Sequence, residues 1–281
     1  MIEAFFQYPF LQNAFFTGVM IGLIAPLLGV FLVVRRLSLI ADALSHITLS
    51  GIAASLLLAK YVAFMQSIHP IYFGMGFSIG GALFIERLRT VYTHYKEIAI
   101  PIIMSAGIGL GVIFISLADG FNNDLFHYLF GSVIAVSRTD LSIVFVITCL
   151  VVVVTVLLYK ELFFLSFDEE QAIIAGISRR LIHFIFIVLV ALVIAASLRI
   201  VGILLVSSLM TLPVAAAIRI ARGFKQLIIY SIVFGECAVV FGLFSAYYLD
   251  IAPGGMIVMI AVVILLFALS WQKLSQKERV S

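Results

Sequence analysis

The stretch Arg35-Arg36-Leu37-Ser38-Leu39-Ile40-Ala41-Asp42-Ala43-Leu44-Ser45-His46 decides how this chain is read. Its two arginines separate an apolar run at 14–34 from a second at 39–59. Each run is near the ~20 residues that a helix needs to cross the hydrocarbon core of a bilayer. A basic pair between two such runs marks a short loop at a membrane surface. The second run nevertheless carries Asp42 and His46. A charged side chain at the bilayer centre costs roughly 2.5–3.5 kcal/mol, so it needs a reason to be there. Positions i and i+4 share one helix face, with Cβ atoms about 5–6 Å apart. Asp42 and His46 can therefore address the same ligand, and a divalent metal ion is the simplest candidate.

The pattern repeats outward. Apolar runs at 14–34, 39–59, 70–86, 97–117, 141–159, 181–198, 200–217, 227–248 and 254–271 give about nine transmembrane helices. Eight or ten remain compatible, because the run at 200–217 is short and follows its predecessor closely. Of the 281 residues, 64% are apolar and 11% charged; soluble domains are nearer 25% charged. Mean hydropathy is +1.26. These values predict an all-α, polytopic membrane helix bundle, a single domain over 1–281 with no large soluble part. A net charge of +3 is no signal for nucleic acid. Cys149 and Cys237 lack metal-ligand spacing and read as small core residues. The first residues lack the basic region of a cleavable signal peptide, and 1–12, aromatic with little charge, reads as an interfacial segment.

Lysine and arginine set the expected orientation. Nine spans put Arg35/Arg36, Arg87/Arg89/Lys96, Lys160/Arg179/Arg180, Arg219/Arg222/Lys225 and Lys273/Lys277/Arg279 on one face. The positive-inside rule makes that face cytoplasmic, with the N-terminus outside and the C-terminus inside. Lys60, Arg138 and Arg199 are lone exceptions near the outer face. Residues 118–140 are amphipathic, and their apolar part, 125–136, is too short to span. It reads as an outer-face or re-entrant helix. Gly18, Gly22, Gly29, Gly107, Gly109 and Gly111 predict close helix approach.

Each chemistry-bearing feature has two readings. Asp42 and His46, with Ser45, Thr48 and Ser50 nearby, are either polar glue between helices or an ion pathway. Asp oxygen and His nitrogen both suit zinc or manganese. One chain offers two ligands; a two-fold dimer would offer four, enough for a four-coordinate ion. The segment 166–177 is either a connecting helix or a docking helix for a cytoplasmic partner. Asp168, Glu169 and Glu170 would lie in its first turn, where negative charge suits the helix dipole. Gly176 reads as its stop. On the outer face Asn122, Asn123, Asp124 and His127 either receive a cation or are simply solvated. Glu236, inside a span, needs a partner or water. His69, His94 and His183 read as interfacial. The chain has no G-x-x-x-x-G-K-[ST] phosphate loop and no H-E-x-x-H or G-x-S-x-G motif.

Together these segments resemble the permease subunits of bacterial zinc/manganese ABC importers. The likeness is carried by Arg35-Arg36-x-Ser38 with Asp42-Ala43-x-Ser45-His46, and by Asp124-Leu125-x-x-Tyr128-Leu129-Phe130-Gly131 with Ala135-Val136. It continues in Ser166-Phe167-Asp168 with Ala172 and Gly176, in Val201-Gly202-x-Leu204-Leu205-Val206 through Pro213, and in Phe244-Ser245-Ala246-Tyr247-Tyr248. Ala41 stands where the family commonly has Gly, and Val214 where it usually has Ala. The resemblance implies a permease working with a second copy of itself, two cytoplasmic ABC ATPase subunits and an extracellular or periplasmic metal-binding protein. It implies Asp42 and His46 as metal contacts along the path. It makes Ser166, Phe167, Asp168, Glu169, Ala172 and Gly176 part of an ATPase-coupling segment over about 160–180. No permanent cofactor is expected, only a transported ion. The motif likeness puts Zn2+ first, with Mn2+ or iron as alternatives. A different class, an intramembrane zinc-dependent hydrolase, would need a third ligand from elsewhere.

Overall fold

A computed structural model describes residues 7–118, 120 and 123–277, with backbone alone at Asn123, Asp124, Leu204 and 274–277. Among the described residues there are twelve α-helices and no strand. They are α1 Pro9–Val34, α2 Ser38–Tyr61, α3 Pro70–Val91, α4 Ala99–Leu117, α5 Asn123–Phe130, α6 Arg138–Leu157, α7 Tyr159–Phe167, α8 Glu169–Ile174, α9 Arg179–Val201, α10 Ile203–Ile220, α11 Phe224–Leu249 and α12 Pro253–Lys277. The nine apolar runs map onto α1–α4, α6 and α9–α12. Seven of these nine are long and apolar enough to cross a membrane. Of the others, α3 carries Glu86, Arg87 and Arg89 in its last turns, and α10 is a shorter apolar helix over Leu205–Ile220.

The ends of α1 show how the chain turns at a surface. Pro9 opens the helix, where a missing N–H costs nothing. Arg36 closes it with φ +57°, and Leu37 N–H donates to Leu32 O at 2.7 Å. This left-handed cap satisfies a carbonyl that the helix would otherwise strand. The interfacial reading of 1–12 is thereby corrected for its second part: residues 9–12 already belong to α1, while 1–6 lie outside the described residues.

The core is built on α1, α2 and α9, whose apolar windows are 67%, 78% and 72% buried, against 28% for α6 and 22% for α12. Helix α2 packs on α3 and α4 on one side and on α9 and α10 on the other. Its small residues permit this: Ala41, Ala43, Ser45, Gly51, Ala53 and Ala54 are all buried. Gly107 of α4 lies against Ile47, and Gly51 lies under Phe77. Gly109 is different: a Cβ added there would meet no atom within 4 Å among the described residues. Cys149 is exposed on α6, not in the core.

The segment 125–136 also departs from expectation. Helix stops at Phe130, and 131–137 runs on without helical structure. Gly131 (φ +78°) lies against Ile200 O, and Gly202 (φ +81°), the single residue between α9 and α10, lies against the Leu129–Gly131 backbone. Ser132 N–H donates to Arg199 O at 3.0 Å. Each glycine takes a backbone conformation that L side chains disfavour and admits the other's main chain. Gly131, Ser132 and Val136 of this non-helical segment are covered by protein, the condition under which such backbone is tolerated within a membrane.

Candidate metal path

Asp42 and His46 lie on one half-buried face of α2, while Ala43, Leu44 and Ser45 between them are buried. The nearest partner comes from α10: Ser207 Oγ donates to Asp42 Oδ1 at 3.4 Å. The hydroxyls singled out beside the pair serve another purpose. Ser45 donates to Ala41 O at 2.9 Å, Thr48 to Leu44 O at 2.6 Å and Ser50 to His46 O at 3.1 Å, with a further short bond from Ser50 to Gly107 O. They satisfy backbone carbonyls and leave Asp42 and His46 as the open donors of this face. Among the described residues no three His, Cys, Asp or Glu side chains gather into a metal-binding group. An ion held by this pair would need its remaining ligands from hydroxyls, water or another chain.

Glu236 sits on α11 facing α1. A methyl group added at Gly22 would stand 3.2 Å from Glu236 Oε2. The carboxylate is therefore admitted between these helices by the absence of a side chain at Gly22.

Two charged clusters cap the bundle. At one end Arg35 Nη2 lies 3.0 Å from His183 Nδ1, and His183 Nε2 lies 2.8 Å from Glu86 Oε2. His183 is buried within the protein there, between Arg35 and Glu86. Burial lowers the Arg35 pKa from its ordinary value, with Arg89 and Arg179 adding to the effect and Glu169 and Glu86 opposing it. Arg35, Arg36, Arg89 and Arg179 line one cleft, so three of the five basic clusters meet at the same end, as the alternation of nine spans requires.

At the opposite end Asp140 is 2% exposed. Its Oδ2 accepts from Ser137 N at 2.8 Å, from Ser137 Oγ at 2.6 Å and from Arg199 Nη1. The Arg199 guanidinium covers the Tyr128 ring at 5.5 Å. His69, which begins α3, places Nε2 3.3 Å from both Asp140 Oδ1 and Arg199 Nη1. Burial holds the His69 pKa below the usual histidine value; Asp140 pulls it up and Arg199 pushes it down. The cluster joins α3, α5, α6 and α9. Sequence reading missed it, although Ser137-x-x-Asp140 is a capping-box spacing and Arg199 stood out as a lone outer cation.

The segment before α9 folds as α7 and α8. Asp168 caps α8, its Oδ1 accepting from Gln171 N at 2.9 Å. Glu169 and Glu170 fill the first turn, and Glu169 pairs with Arg179. Gly176 (φ +83°) follows the helix end. Ser166 donates to Leu162 O at 2.6 Å, and Ala172 is fully buried. Phe167 packs on Phe163 and Phe224 but remains 60% exposed, while Ile174 is 85% exposed. Phe167 belongs to the expected coupling segment, but the exposure of Phe167 and Ile174 beside an acidic turn is not legible, because an isoleucine in a sequence looks the same inside or out. His127 is half-buried in the last turn of α5. The Asp124 side chain and Asn122 lie outside the described residues, so the Asp124/His127 pair remains an expectation.

A "probable metal transport system membrane protein" of Treponema pallidum is 35% identical over 264 residues, covering 94% of this chain and 96% of the relative. The manganese transport system membrane protein MntC of Listeria monocytogenes is 32% identical, covering 95% and 92%. Among solved structures, PsaBC from Streptococcus pneumoniae in complex with Fab superposes with a TM-score of 0.84 at 31% identity, covering 95% of this chain and 93% of that one. The relatives are transport components, so the hydrolase alternative falls. The sequence pattern of the ABC 3 transport family matches residues 7–272, and the chain belongs to that family as a multi-pass membrane transport subunit, not an enzyme.

Proposed function

We propose that this chain forms, with a second copy, the membrane path of an ATP-driven importer of divalent first-row metal ions, and that Asp42 and His46 contact the ion. The observation that carries this reading is the half-buried Asp42/His46 face, whose side chains have one partner among the described residues, the 3.4 Å contact from Ser207. Intramembrane ionisable residues that lack a full set of partners mark ion pathways. Two-fold pairing would bring two carboxylates and two imidazoles to one ion. A path must release what it binds, and a site made of few ligands from separate chains meets that need better than a closed cage.

Manganese is the ion we favour, because MntC is named for it. Carboxylate and water ligands suit manganese, and paired Asp42 residues would supply the carboxylates. Zinc, first by motif likeness, is the competing reading, and the His46 imidazole supports it. Cellular manganese, zinc and iron measured in a strain lacking this chain separate the readings. Manganese alone should fall and return on complementation; a fall in zinc alone would reverse the assignment, and unchanged levels of all three would remove the transport role.

The basic end faces the cytoplasm in this reading, with the N-terminus outside. The ATPase docks on the 160–180 segment of what we take to be a single permease domain. Capped, acidic α8 with exposed Phe167 and Ile174 is the surface that supports this. The other end receives metal from an extracellular or periplasmic binding protein, with Asp124 and His127 as candidate contacts. Charge reversal at Asp168 and Glu169 should weaken co-purification of the ATPase severalfold. Unchanged co-purification would move the docking surface elsewhere.

A further inference from the structure

A cleft of about 690 Å³ opens between the last turns of α3, the 92–98 connection and the first turns of α9. No role described above uses it. Arg87, Lys96 and Arg180 line it and are exposed. Arg89 and Arg179 have carboxylate partners, Glu86 and Glu169. No ion pair or hydrogen bond engages the Arg87, Lys96 or Arg180 side chains among the described residues. Glu86, already shared by Arg89 and His183, is the one carboxylate in the lining.

The wall below these cations is apolar. Leu83 lies one turn deeper than Arg87 on α3, and Phe184 and Val188 lie one and two turns deeper than Arg180 on α9. Leu83 and Phe184 are nearly half exposed. We infer that this cleft holds an anionic phospholipid, its phosphate on Arg87, Lys96 and Arg180 and an acyl chain along Leu83, Phe184 and Val188. The inference rests on the chain spanning a membrane and is independent of which metal it carries.

The two-zone lining selects this occupant. A free anion would use only the cationic rim and gain nothing from exposed Leu83 and Phe184. A soluble protein partner would meet the rim from the aqueous side, above the apolar wall. A phospholipid fits both zones, with charge and hydrocarbon about one helical turn apart. Basic pockets between membrane helices at the surface are sites of this chemistry.

The test uses the full chain purified in a zwitterionic detergent, with phosphatidylglycerol or phosphatidylcholine added and bound lipid counted by native mass spectrometry. Phosphatidylglycerol should be retained at least about tenfold better, since each cation near the headgroup contributes severalfold. The triple variant Arg87→Gln, Lys96→Gln, Arg180→Gln should erase that preference. Phe184→Ala, with all cations intact, should weaken retention of both lipids. Arg219→Gln, Arg222→Gln, Lys225→Gln, at another basic loop, should leave the preference intact. Excess inorganic phosphate should not release the lipid. Equal retention of the two lipids, equal loss in the control triple, release by phosphate, or displacement when the ATPase subunit binds would each overturn the inference. Metal uptake by the cleft variants reads out the proposed function separately.

Discussion

Asp140 and Asp42 are both carboxylates set among helices, and they are held in opposite ways. Asp140 receives two donors from Ser137 and one from Arg199, lies under a guanidinium that covers Tyr128, and is almost wholly buried. Asp42 receives one long contact from Ser207 and stays half-buried beside His46. The first arrangement satisfies a charge within one chain, and four elements are fastened by it. The second leaves a carboxylate with a single long contact among the described residues. Burial of charge therefore does not by itself identify a functional site here; the count of partners separates a structural clamp from a path.

The sharpest way to break this contrast is to remove half of the clamp. Arg199→Ala leaves Asp140 buried and unpaired, and breaking a buried pair in this way typically costs about 3–5 kcal/mol. The variant should melt far below the parent in detergent, or fail to accumulate. A melting point equal to the parent's would show that Asp140 is solvated after all.

A middle-sized effect is expected at the other end. If α8 is a docking helix, its acidic first turn serves a partner as well as the fold, because Asp168 also caps α8 and Glu169 also pairs with Arg179. Their charge reversal should lower melting modestly, since loss of a cap typically costs about 1 kcal/mol, while ATPase binding falls severalfold; a melting loss as large as that of Arg199→Ala would make the segment structural.

The smallest effect concerns His69. Its folded pKa is lowered, first by burial, from an unfolded value of 6.5. Below that value the unfolded chain binds the extra proton more readily. Stability is therefore fully present above about pH 6.5 and is lost as pH falls through the window down to the folded pKa. Melting of the parent should drop on acidification through that window more than melting of His69→Gln. Parallel curves would remove His69 from the clamp's charge balance.

Much of this contrast was legible in the sequence, but unevenly. Nine apolar runs and five basic clusters were enough for the bundle, because bilayer thickness and loop charge constrain both. Asp42 and His46 were visible as a costly i, i+4 pair on one run. The clamp was not, because Asp140 and Arg199 lie 59 positions apart and meet only when the 131–137 segment folds onto the α9–α10 junction. That junction is one glycine, Gly202, and nothing in a hydrophobic run announces a break with φ +81°. The Ser207 contact was hidden for the same reason: it joins α2 to α10 across 165 positions. The hydroxyls near His46 misled by proximity, since their bonds go to backbone carbonyls, those of α2 itself and, for Ser50, also Gly107 O on α4.

The central claim is that the open pair on α2 handles metal. Its most direct test is initial uptake of radioactive manganese, and of zinc in parallel, by cells expressing the parent, Asp42→Ala or His46→Ala at equal membrane levels. Both variants should assemble with the ATPase and melt like the parent, because neither residue carries a structural charge pair. Uptake should nevertheless fall to the level of cells lacking the chain. Parent-level uptake by both variants would contradict the account and return Asp42 and His46 to the role of helix glue.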